Sequence, residues 1–255
     1  MPTEAAPRLA TPPAEDLGID RAFALQMARM PALAVLWVVA AVLADRLWAA
    51  ATPAVPNLGP VVVICLGMVL AAVVDGWAYK VPNWATLPLI LSGWMLGGLH
   101  DLGVPADAGA GGLGAAVLGT AVGFGLLFPL LAVGGVGVGD VKMQMGFGAW
   151  AGAYFGAGGP GTPGWPGVVV AAFCAAAVVG GLFGLVMIVL RGRFRENART
   201  VAEIMVDLRL FATGNVKRAS LRAKDRRSRW VRLPYGIPLC VGFLLYLWYA
   251  LVLAA

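Results

Sequence analysis

Charge is what this chain has least of. Only 13% of its 255 residues are charged, 60% are hydrophobic, and the mean hydropathy is +0.82. A soluble domain carries about 25% charged residues. A chain this apolar cannot cover itself in water, so its composition calls for a bilayer as solvent. Cysteine is also scarce: Cys65, Cys174 and Cys240 each lie in an apolar run, and none forms a CxxC pair. Nothing therefore supports a zinc site or a disulfide framework, and the three read as buried structural thiols. No metal or other cofactor is expected. A secretory signal peptide is missing as well. Residues 1–30 are Pro/Ala-rich and mixed in charge, without a basic start leading directly into an apolar stretch.

Glycine is abundant, with 35 residues, and so is alanine. Small residues suit close helix contact in lipid better than a leucine-packed soluble core. At roughly 20 residues per crossing, the apolar segments fall at about 31–49, 60–77, 84–99, 111–133, 141–157, 167–190 and 236–254. The expected fold is all-α, a polytopic bundle of about seven transmembrane helices. The fifth segment is the weakest, being short with Lys142 and Gln144 at its start, and six spans result if it re-enters instead. Leu17 to Met30 reads as a short amphipathic helix ahead of the first span.

Lysine and arginine orient the bundle. With the N-terminus cytoplasmic and seven crossings, 1–30, the turns near 76–83 and 134–142, and the stretch 191–235 hold 18 of the 19 Lys/Arg residues. Arg46 alone lies on the other side. The expected organisation is a cytoplasmic tail over 1–30, six helices over 31–190, a basic cytoplasmic insertion over 191–235 and a last helix over 236–255. A net charge of +6 invites a nucleic-acid partner, but the basic residues gather at membrane edges, which argues against one. Within the insertion, Val201, Ile204, Met205, Leu208 and Phe211 recur at helical spacing, with Gly214-Asn215 as a stop signal. This predicts a helix lying on the cytoplasmic leaflet. The basic run that follows reads as attracted to anionic lipid, so that 191–232 is the lipid-contacting segment. Ala115, Gly119 and Gly123 share one helix face, as do Ala172, Ala176, Gly180 and Gly184. Both faces read as packing surfaces within the bundle.

Ionisable residues at span ends are costly and point to function. Asp75 falls at the end of the second segment, in VVDGWAYKVPNW, and Asp140 at the start of the fifth, in GVGVGDVKMQMGFGAW. The charge count, made without reference to either, puts both on the cytoplasmic side at similar depth. Two close carboxylates do not easily both ionise, so one holds a proton while the other stays charged. Such a pair can take a proton from water as it attacks a peptide carbonyl, and can donate one to the carbonyl oxygen and then the leaving amine. Gly137 and Gly139 let backbone and substrate approach Asp140 closely. Lys142 is expected near the inner phosphate layer, Lys80 as a snorkelling residue, and Pro82-Asn83 as a turn and cap starting the third helix.

In so glycine-rich a chain a lone G-x-G-D tetrapeptide has roughly a one-in-six chance of arising from composition, so by itself it says little. The combination says more: Asp-x4-Lys-x-Pro-Asn on one turn, Gly-x-Gly-Asp-x-Lys on the next. With these residues the chain resembles the type IV prepilin peptidases, aspartic proteases with a GxGD motif. GAW at 148–150 and LPYGIP at 233–238 are secondary matches, and the likeness covers about 60–255 apart from the insertion. It implies a membrane-embedded aspartic endopeptidase with Asp75 and Asp140 as the catalytic pair. The implied substrates are the short, basic, glycine-ended leaders of prepilins and pseudopilins, and the implied place is the bacterial inner membrane, with cleavage at its cytoplasmic face. Lacking the cytoplasmic domain with two CxxC pairs, the chain resembles the compact, peptidase-only members of Flp/Tad pilus systems, without N-methylation. Two alternatives stay open. One is a presenilin-like GxGD protease, although here valine precedes the first aspartate and Pro-Ala-Leu occurs only at 31–33. The other is a non-enzymatic transport or pilus-assembly protein, since membrane carboxylates can also carry protons.

Overall fold

The computed structural model describes residues 21–52, 57–78, 81–104, 109–158, 164–191, 202–210, 213–214 and 235–253. Among these there are only helices: α1 (Arg21–Ala51), α2 (Gly59–Ala78), α3 (Asn83–Asp101), α4 (Leu113–Ala132), α5 (Val138–Phe155), α6 (Trp165–Arg191), α7 (202–210) and α8 (Gly236–Trp248). A π-helical turn, Tyr249–Leu253, extends α8. The all-helical polytopic bundle expected from composition is thus the fold. Four helical stretches are long and apolar enough by themselves to cross a bilayer: Ala28–Ala51, Gly59–Ala78, Leu113–Ala132 and Trp165–Leu190. Their outer faces carry Leu36, Leu43, Leu66, Leu118, Leu182 and Leu190, all exposed. A bundle with this exterior is a membrane protein.

Three local expectations change. From Arg21 to Met30 the expected amphipathic helix is continuous with α1, and 17–20 lie outside the described residues. The helix on the insertion covers 202–210, followed by Thr213, which donates its hydroxyl back to the Arg209 carbonyl, and by Gly214 at φ 82. Val201 and Phe211 of its expected apolar face lie outside the described residues. Of the cysteines only Cys240 is buried; Cys65 is half-buried and Cys174 is exposed. The reading of all three as buried failed for Cys174 because α6 turns much of its surface away from the bundle. An apolar run does not tell a lipid-facing side from a protein-facing one.

The fifth segment, the weakest span by composition, is the centre of the molecule. Helix α5 packs against α2, α3, α4, α6 and α8, and its buried positions run almost without break from Asp140 to Ala153. Small residues make this enclosure feasible. A Cβ on Gly119 of α4 would collide with the carbonyl of Gly148 on α5, one on Gly148 with the carbonyl of Gly119, and one on Gly152 with the carbonyl of Ala115. The face Ala115, Gly119, Gly123 therefore serves packing within the bundle, as its spacing suggested. On α6, Ala172 and Ala176 are fully buried and Gly180 lies against Tyr235, while Gly184 faces open space. On the α3 side, Trp150 of α5 is 1% exposed and donates its indole N–H to the carbonyl of Leu89 at 2.9 Å and to Ser92 Oγ at 3.0 Å. That polar tip is satisfied inside the core, as a buried indole requires.

Because backbone meets backbone at Gly148, no rotamer change can make room for a side chain there. Gly148→Val should cost at least about 1–3 kcal/mol, the range for overpacked cores. Thermal unfolding in detergent should show it, with Gly184→Val, at an open position, as the near-neutral control.

Candidate active site

Asp75 sits on the last turn of α2 and is 6% exposed. Its Oδ2 accepts the backbone N–H of Gly236, the first residue of α8, at 2.9 Å. The first N–H groups of a helix have no partner within it, and a carboxylate is well suited to them. Glycine is what lets the two meet. A Cβ on residue 236 would stand 2.8 Å from Asp75 Oδ2 and 3.1 Å from its Cβ. Next along α2, Gly76 faces Ile237 of α8 in the same way, with Cδ1 at 3.1 Å from where a Cβ would be.

Asp140 is the third residue of α5 and 5% exposed. Its Oδ2 reaches back to accept the N–H of Gly137, the N-cap residue, at 2.9 Å. This is the returning half of a capping box. Gly137 has extended backbone (φ −83°, ψ 157°), and its role is steric: a Cβ there would lie 3.1 Å from Asp140 Oδ2. The two carboxylates are within electrostatic reach of each other, and the Tyr235 phenol is within reach of Asp140. Among the described residues no other hydrogen bond holds either carboxylate.

Two further contacts tie the motif turns together. Gly139 lies against Val81, whose Cβ would be 2.9 Å from a Cβ on residue 139. The space that the sequence suggested for a substrate is therefore filled by the chain entering α3, and the glycine serves the junction. Lys142, half-buried, donates Nζ–H to Asn83 Oδ1 at 2.6 Å. It was expected to reach the phosphate layer, but its ammonium ties α5 to the start of α3. Helix α3 does begin at Asn83 with Pro82 in the N-cap place, yet no side chain caps it, because proline has no polar side chain and the Asn83 oxygen accepts from Lys142. Lys80 lies outside the described residues.

Of the residues singled out from sequence, Asp75, Asp140, Gly137, Gly139, Lys142, Pro82 and Asn83 converge on one end of the bundle. The sequence reading missed Gly236 and the adjoining Tyr235. Their signal was the Pro-Tyr-Gly-Ile-Pro stretch at the entry to the last helix, noted only as a secondary match. Chemically, two buried carboxylates within electrostatic reach of each other, each with one oxygen engaged by a backbone N–H, can exchange protons with a water and a peptide between them.

Removing either partner of the Lys142–Asn83 bond should weaken the junction. In a double-mutant cycle with Lys142→Met and Asn83→Leu, unfolding in detergent should give a coupling of about 1 kcal/mol. Strict additivity would mean that the bond contributes nothing.

No curated protein and no solved structure shows a significant match to the chain. Residues 62–185 match the model of the type IV leader peptidase family, a range that spans α2 to α6 and includes both aspartates. The segment that builds most of this site, 62–185, is thus similar to the type IV leader peptidases, and that likeness implies a membrane peptidase.

Proposed function

We propose that the protein is an aspartic endopeptidase that removes the short basic leader of type IV prepilin-like proteins, with Asp75 and Asp140 as its catalytic pair. One observation carries this reading: within the leader-peptidase segment, two buried carboxylates lie in electrostatic reach, each fixed by a backbone N–H at 2.9 Å. In the reaction, the charged carboxylate takes a proton from water as its oxygen bonds to the peptide carbonyl carbon. The protonated one donates to the carbonyl oxygen. The C–N bond then breaks as the leaving nitrogen receives a proton from one carboxyl group and a hydroxyl of the tetrahedral diol returns its proton to the other, releasing the leader as a carboxylic acid and the mature protein with a new amino terminus. Water supplies the oxygen, and the two carboxyl groups end in their starting protonation.

The positive-charge bias supports a cytoplasmic active site in a bacterial inner membrane, with the basic stretch 191–232 held to anionic lipid. With three cysteines and no CxxC pair, the reading is leader cleavage without N-methylation, as in the compact peptidases of Flp/Tad pilus systems. Gly137 and Gly236 act as positioning residues for the two carboxylates, Gly139 and Val81 as the junction between their helices, and Lys142, Asn83 and Pro82 as its brace.

Asp75→Asn and Asp140→Asn should each lower cleavage of a co-expressed prepilin on the order of 10²–10⁴-fold, with folding intact by thermal unfolding. Unchanged processing by either variant would sink the assignment. Gly236→Ala tests the positioning separately. The added methyl displaces the Asp75 carboxylate, and the expected loss of kcat is on the order of 10-fold or more. A fully active alanine variant, assayed on the same prepilin, would show that the Gly236 contact does not matter.

A further inference from the structure

Gln144 is a buried polar residue in the centre of the bundle whose chemistry nothing above uses. It is fully buried, and neither its Nε2 nor its Oε1 has a hydrogen-bond partner among the described residues. A buried amide without a partner costs a few kcal/mol, and leucine would fill the same place without that cost. Rules of this kind are broken mostly at functional sites.

The position of Gln144 says which site. It follows Asp140 by four residues, so the two share a face of α5, about 6 Å apart along the axis. The same stripe continues through Phe147 and Ala151. Phe147 stacks on Phe243 of α8 with ring centroids 4.3 Å apart and planes 13° from parallel. Phe147 and Ala151 also line a small apolar crevice with Val61 and Ile64 of α2 and Leu247 of α8. The stripe thus faces α2 and α8, the helices that carry and hold Asp75. Helix α4 approaches the Gln144 backbone instead, where a Cβ on Gly123 would stand 2.5 Å from the Gln144 carbonyl oxygen. Gln144 lies one turn along α5 from Asp140, and the Phe147–Phe243 stack follows on the same stripe.

We infer that Gln144 is a positioning residue for the hydrolytic water, which it holds against Asp140 at the base of the site. This rests on the catalytic pair proposed above. The chemistry fits: an amide offers both a donor and an acceptor, as a water needs. Peptide hydrolysis consumes a water on every turnover, in a place enclosed by apolar helices. A fixed polar group beneath the carboxylate supplies the orientation that bulk solvent cannot.

The test is steady-state cleavage by the purified full chain in detergent, on a prepilin with a glycine-ended basic leader, comparing wild type, Gln144→Leu and Gln144→Asn. Gln144→Leu should lower kcat on the order of 10–100-fold, with KM within about twofold and a melting temperature unchanged or raised, because the orphan amide is gone. Gln144→Asn, which keeps an amide, should recover part of the kcat. A leucine variant as fast as wild type would overturn the inference. So would a loss confined to KM, which would mean a contact to substrate, or an asparagine variant no better than leucine. Wild-type protein that fails to cut the prepilin would instead count against the leader-peptidase reading itself.

Discussion

The structure depends on the enclosure of one helix. Helix α5 carries Asp140, Lys142 and Gln144 within five residues, a polarity that lipid would not accept on an exposed surface. It is tolerated because α5 is surrounded by α2, α3, α4, α6 and α8, and that enclosure depends on glycine and alanine. Where α4 meets α5, Gly119, Gly148 and Gly152 bring backbone onto backbone with no room for a methyl group. Close approach of this kind gains dispersion contacts in a solvent where the hydrophobic effect offers little between helices. The abundance of glycine, which looks like a composition bias, is what allows a polar helix to sit at the centre of an apolar bundle.

The same economy of space governs the chemical end of the bundle. Asp75 is held by the first N–H of α8, from a residue far along the chain, while Asp140 is held by the N-cap of its own helix. The two carboxylates are thus anchored by unlike means, one by long-range packing and one by local helix geometry. Local geometry is robust, since the turn that presents Asp140 forms wherever α5 begins. The Asp75 anchor requires the whole bundle to close, because α8 must dock against α2 before Gly236 can reach it. The two carboxylates are both anchored only in the assembled fold. The Gly139–Val81 and Lys142–Asn83 contacts then set the two turns at one level.

Much of this was legible in the sequence, and the physics explains which parts. Hydropathy and helix length gave six of the eight described helices near their observed bounds, and the first from about 31 where α1 begins at Arg21, because lipid demands long apolar runs and closed backbone hydrogen bonding. The eighth, 202–210, followed from its 3–4 residue periodicity. The convergence of Asp75 and Asp140 was readable because positive charges orient spans independently of the acids. Other features were not readable. Cys174 and Cys240 sit in equally apolar runs, yet one is exposed and the other buried. Lys142 and Asn83 looked like a membrane-edge lysine and a helix cap, and they prove to be partners across two helices.

What the sequence alone determined is therefore the solvent, the helices and the two carboxylates at one end, all consequences of short-range rules and of charge placement. What only the tertiary structure decided is who touches whom. The N–H of Gly236 on Asp75, the valine filling the space at Gly139 and the orphan amide of Gln144 beneath Asp140 all depend on how helices rotate about their axes when they pack. No local propensity encodes that rotation. It is set by the jigsaw of glycine faces around α5, and those faces acquire meaning only once their neighbours are in place.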